Sequence, residues 1–107
     1  MKTPKAFRGT WRIVETEMWK QDDLDLVVPA HITFDEDGVG GFQLVAVNGE
    51  TDCRFEGQRV EFSWHGDDDG EDANGRGWAE ITKDGLLAGM IYFHLGNESS
   101  FLAKRAR

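Results

Sequence analysis

Apolar and polar residues alternate along most of this chain, the period-two pattern of strands with one face buried and one wet. Eight segments follow it: residues 8–17, 30–35, 39–47, 50–55, 59–65, 76–82, 86–94 and 99–105. The joints between them are short. Asp37-Gly38, Asn48-Gly49 and Asp84-Gly85 supply residues that tolerate positive φ, as twist-matched hairpin turns require. One stretch, residues 20–28, suggests a short helix, with Asp22 or Asp23 as cap, Leu24, Leu26 and Val27 as its apolar positions, and Pro29 ending it.

The hairpin over residues 50–65 is regular enough to predict a register. Thr51, Cys53 and Phe55 alternate with Asp52, Arg54 and Glu56, and Val60, Phe62 and Trp64 alternate with Glu61, Ser63 and His65. A four-residue loop, 56–59, sets Arg54 opposite Glu61 and Cys53 opposite Phe62. A two-residue loop would set Arg54 against Arg59, and like charges facing each other disfavour it. Two strands are apolar on both faces. Leu87, Ile91, Phe93 and Leu95 alternate with Leu86, Ala88, Met90 and Tyr92, and Phe42, Leu44 and Ala46 alternate with Val39, Val45 and Val47. Their outer faces call for cover by the short helix, a partner or a second copy of the chain.

Eight sequential antiparallel strands remove their exposed edges by pairing the last with the first. The expected architecture is therefore an all-β, eight-strand antiparallel meander closed into a small barrel, one domain over residues 1–107. Such an interior either fills with side chains or holds one small ligand.

Composition sharpens this picture. Four Trp and seven Phe supply burial that a 107-residue chain needs, and thirteen Gly against two Pro indicate tight turns rather than linkers. The single cysteine, Cys53, has no intramolecular partner, no apolar run reaches membrane-span length, and the basic residues at positions 1–8 lead into alternation rather than into a signal core. A cytoplasmic location is the expectation. A net charge of −8 repels phosphate backbones and anionic lipid, so nucleic acid and membrane are disfavoured as partners.

The segment Phe7-Arg8-Gly9-Thr10-Trp11-Arg12-Ile13-Val14 resembles the first strand of the calycins, the lipocalin and fatty-acid-binding barrels, which open with Gly-x-Trp. The closing Phe101-Leu102-Ala103-Lys104-Arg105 fits the same resemblance. It implies that Gly9 and Trp11 begin the closure and that Lys104 or Arg105 on the last strand packs over the indole in a cation–π contact. The ligand-gripping polar residues of those families have no identifiable counterparts here. The whole chain also resembles small bacterial proteins of unassigned function that share Gly75-Arg76-Gly77-Trp78 before a final hairpin.

Candidate chemistry is sparse. The run Asp67-Asp68-Asp69-Gly70-Glu71-Asp72 offers hard oxygen ligands, but position twelve of a calcium loop starting at Asp67 is Trp78 and the central Gly is misplaced. A solvated hairpin loop is the simpler reading. His31, His65 and His94 lack zinc spacing, and no cofactor or metal is implied. No nucleophile motif is present, Cys53 lies among apolar neighbours, and the polar face carrying Asp52, Arg54 and Glu61 reads as an ion-pair ladder. An enzyme therefore ranks last.

The preferred expectation is a binding module for a small apolar or weakly acidic molecule, using Trp11, Phe62, Trp64, Arg76, Trp78, Tyr92 and His94. Arg76 would meet the ligand's carboxylate, or else pair with the acidic loop. The alternative is an acidic protein-interaction module, of inhibitor or immunity type, engaging a basic protein partner or forming a homo-oligomer.

Overall fold

A computed structural model describes residues 1–106. The strands are β1 (Gly9–Thr16), β2 (His31–Phe34), β3 (Val39–Leu44), β4 (Val47–Glu56), β5 (Arg59–Asp68), β6 (Glu71–Ile81), β7 (Leu87–Phe93) and β8 (Glu98–Arg105). Each pairs antiparallel with the next, and β8 returns to β1, so the sheet closes into a barrel. A register shift between Ile13 and Glu15 marks the β1–β8 seam, a local irregularity of the kind that bends a strand toward closure.

Side chains fill the interior. Trp11, Ile13, Ile32, Phe34, Phe42, Leu44, Val60, Phe62, Trp64 and Ile91 are all buried in one core. Large rings on β5 fit because the neighbouring strand β6 is small on its inner side: Ala73, Gly75, Gly77 and Ala79 alternate with outward residues. A Cβ on Gly77 would lie 2.5 Å from Cζ of Phe62, and one on Gly75 would lie 2.8 Å from the indole nitrogen of Trp64. The Gly75-Arg76-Gly77 segment thus lies inside a strand, where its glycines make room for rings.

The predicted hairpin register holds, with Arg54 opposite Glu61 and Cys53 opposite Phe62. Pairing continues one step further, Glu56 to Arg59, which leaves a two-residue turn at Gly57-Gln58. Asn48-Gly49 is not a turn. It lies in β4, and the β3–β4 bend falls at Val45-Ala46, with Val45 at φ +54°. Gly49 faces inward opposite Phe42, whose ring occupies the space a Cβ would need, at 2.6 Å. Packing therefore sets this register, and the turn accepts a valine in a strained conformation.

The acidic run is also shorter as a loop than expected. β5 reaches Asp68 and β6 starts at Glu71, leaving Asp69-Gly70, both at positive φ, as the turn. The helix shrinks to one turn, α1 (Gln21–Leu24), preceded by Lys20 and without a side-chain cap from Asp22 or Asp23. What stops it is Asp25. Its carboxylate accepts two hydrogen bonds from the Arg12 guanidinium (2.7 and 2.8 Å), one from Gln21 Nε2 (2.8 Å) and one from the Ala30 amide (2.8 Å). Those bonds tie the α1–β2 connection to β1, and hold the Asp25 carboxyl well below the usual carboxylate range, the Arg12 contact contributing most.

Segments outside the strands pack against both barrel ends. At one, the N-terminal segment inserts Phe7 against Phe34 and Phe55, at ring-centroid distances of 5.5 and 5.1 Å. Thr3, 1% exposed, donates to the Asp35 carbonyl and accepts from the Gly38 amide. At the other, α1 buries Leu24, whose carbonyl accepts from the Val45 amide at 2.8 Å.

Arg105, rather than Lys104, makes the closing contact. Its guanidinium carbon lies 4.1 Å from the Trp11 ring centroid, and its nitrogens donate to the Arg8 and Ala6 carbonyls, both at 2.6 Å. The Trp11 indole donates to the Phe7 carbonyl at 3.0 Å, and Gly9 adopts φ +113°. Lys104 sits one step off in the alternation, opposite Arg12, and points outward.

Candidate functional site: an arginine–aromatic groove on the outer sheet

The residues expected to bind a ligand divide by strand parity. Trp11, Phe62 and Trp64 are 2, 4 and 3% exposed and belong to the core. Arg76, Trp78 and Tyr92 point outward from β6 and β7 onto a shared face.

Register brings that face together. Ser63, Arg76 and Tyr92 form one cross-strand row, and Glu61, Trp78 and Met90 form the next. The rows bound an open concavity of about 600 Å³ that also reaches Asp52, Arg54, Arg59 and Phe62. A second concavity, about 530 Å³, shares Ser63, Arg76 and Tyr92 and continues to His94 and Glu98. Five of the seven expected residues, Phe62, Arg76, Trp78, Tyr92 and His94, therefore border one continuous groove.

Two stacked pairs organise it. The guanidinium carbon of Arg59 lies 4.4 Å from the Trp78 centroid, and that of Arg76 lies 4.3 Å from the Tyr92 centroid. Stacking fixes a guanidinium plane while leaving its N–H edge available. Other arginines here are already engaged: Arg54 with Asp52 at 2.7 Å, and Arg59 with Glu61 and Glu80, each at 3.3 Å. Among the described residues Arg76 has no carboxylate within 4 Å and no side-chain hydrogen bond. It does not pair with the acidic run, although β6 carries both.

Arg59 was not among the residues singled out from sequence. Its contact with Trp78 depends on the β5–β6 register, which places it opposite Glu80 and diagonal to the indole.

No family model matches this chain, and no curated protein matches it.

The remaining candidates carry less. Among the described residues no three His, Cys, Asp or Glu side chains converge as a metal site. His31 contacts the Pro29 carbonyl through Nδ1 at 2.9 Å, and His65, within β5, and His94, just past β7, are exposed. The Cys53 thiol is fully buried, and burial pushes its pKa up, which removes the thiolate needed for nucleophilic chemistry. Among the described residues no helix is long and apolar enough to cross a membrane.

Proposed function

We propose that this chain is a calycin-like binding module that takes a small aromatic or apolar acid on its outer groove. The observation that carries the reading is Arg76, stacked on Tyr92 and lacking an acidic partner on a molecule of net charge −8. A carboxylate meeting the free guanidinium edge gains charge-assisted hydrogen bonds with fixed geometry. An attached ring or alkyl body lies against Trp78, while Ser63 offers a hydroxyl in the row of Arg76. The closure by Gly9, Trp11 and Arg105 supports the calycin resemblance. The single buried Cys53 is in keeping with a reducing, cytoplasmic setting.

Calorimetric titration with phenylacetate or indole-3-acetate tests this reading. Saturable binding is expected, weakened at least tenfold, about 1.4 kcal/mol, by Arg76→Ala. Equal affinity in wild type and variant would refute it.

Self-association is a second reading with its own observation. Leu26 and Val27 are 64 and 57% exposed beside an apolar concavity of about 430 Å³ lined by Val28, Pro29 and His31. Sedimentation equilibrium of wild type against Leu26→Asp decides it, a strict monomer in both ruling it out.

A further inference from the structure

The barrel end bearing the β5–β6 and β7–β8 turns holds a third concavity, of about 410 Å³, which adjoins the outer groove through Asn74, Phe93, His94, Gly96 and Asn97. Its walls include the aromatic rings of Trp19 and Phe93, and its rim includes Asp68 and Asp72. The two rings meet at 65° with centroids 6.4 Å apart, and Phe93 continues inward to Trp64 at 5.2 Å. An aromatic row thus runs from the core to the mouth.

Trp19 is held there by design of the local backbone. The Thr16 hydroxyl donates to the Trp19 carbonyl at 2.8 Å and accepts from its amide at 3.0 Å. Next to it, the Met18 amide donates to Ser99 Oγ, a side chain only 1% exposed. A backbone fixed in this way, with the ring packed on Phe93, holds Trp19 in place before any ligand arrives, which lowers the ordering cost of binding.

Charge selects the ligand class. The titratable side chains lining the concavity are Asp68, Asp72 and His94, with no Lys or Arg, and none of the five carboxylates from Asp67 to Asp72 has a cationic partner within 4 Å among the described residues. The local potential therefore attracts cations and repels the acids for which the outer groove is suited. A bare metal ion is a poor match, since no three ligating side chains converge and ring faces offer it no oxygen. Aromatic faces bordered by carboxylates instead suit a weakly hydrated organic cation, whose alkyl groups contact the rings while its charge meets the acids.

We propose that the barrel mouth is a binding site for a small alkylated ammonium. The site adjoins the outer groove along Asn74 and His94, and differs from it in having no arginine in its lining.

The test uses the full chain, with choline as probe and 3,3-dimethyl-1-butanol as its uncharged isostere, followed through the Trp19 indole N–H in two-dimensional NMR. Choline is expected to shift that resonance saturably, and the isostere to bind at least tenfold more weakly. Asp68→Asn/Asp72→Asn, a surface change that leaves the core intact, is expected to weaken choline at least fivefold. Trp19→Phe, which keeps a ring in place should Trp19→Ala fail to fold, is expected to retain binding, read from the Phe93 resonances. The proposal is overturned if choline produces no saturable shift, if the isostere binds equally well, or if the double amide variant binds choline like wild type.

Discussion

Substituting Gly77 by alanine tests whether the Gly75-Arg76-Gly77 segment is a packing device. The added methyl would stand 2.5 and 2.8 Å from two carbons of the Phe62 ring and 2.6 Å from the Met90 carbonyl oxygen. Ordinary contacts begin near 3.4 Å. Phe62 is 4% exposed and enclosed by core, so the ring has little room to withdraw, and the carbonyl is held by the β6–β7 ladder. Overpacking of this kind costs about 1–3 kcal/mol. Acting against it, alanine reduces unfolded-state entropy relative to glycine by about 0.4–1 kcal/mol. The expected net loss is about 1 kcal/mol, or a melting point lowered by roughly 4–8 °C in a domain of this size. Urea unfolding followed by tryptophan fluorescence measures it, with an unchanged slope showing that the unfolded state is not the cause. Adding Phe62→Leu should recover part of the loss, because the ring atoms in conflict are gone. If Gly77→Ala were as stable as wild type or more so, the steric reasoning would be wrong and the glycine merely tolerated.

Three further outcomes follow from the same contacts. Asp25→Asn should cost about 2 kcal/mol at neutral pH, since it weakens charge-assisted bonds to Arg12. Because the folded Asp25 carboxyl titrates below its unfolded value, that contribution is complete above about pH 4 and is lost as pH falls toward the folded value. The difference between wild-type and variant stability, measured by urea titration at several pH values, should shrink on acidification. Arg105→Ala, which removes the stacking on Trp11 and two hydrogen bonds, should lower stability by about 1–2 kcal/mol, whereas Lys104→Ala should stay within about 0.5 kcal/mol of wild type in thermal melts. Leu95, 95% exposed at φ +56°, should give about 1 kcal/mol of added stability when replaced by glycine, seen as a raised urea midpoint.

The side-chain alternation was legible because its cause is local: Arg54 sits between Cys53 and Phe55, and Glu61 between Val60 and Phe62. The same logic gave the β4–β5 register, since Arg54 and Glu61 are opposite charges on two strands joined by a short loop. Asn48-Gly49 misled because a turn dipeptide and an inward glycine beneath a ring are indistinguishable until the facing residue, Phe42, is known. The β5–β6 hairpin was drawn too short because Asp67 and Asp68 lack the apolar partners that mark a strand, although their backbones remain paired. The groove required the β5–β6 and β6–β7 registers together, so Arg59 stayed invisible while Arg76, Trp78 and Tyr92 were noticed for their chemistry. Trp19 follows β1 in a connection where no alternation exists to place it.

The central claim is that recognition occurs outside the barrel, not within it. The most direct measurement is a two-dimensional NMR titration with an aryl carboxylate, reading the four indole N–H resonances. Trp78 should shift saturably while Trp11 and Trp64, buried and bonded to the Phe7 and Tyr92 carbonyls, stay in place. Shifts concentrated on Trp11 and Trp64 with Trp78 silent would contradict it.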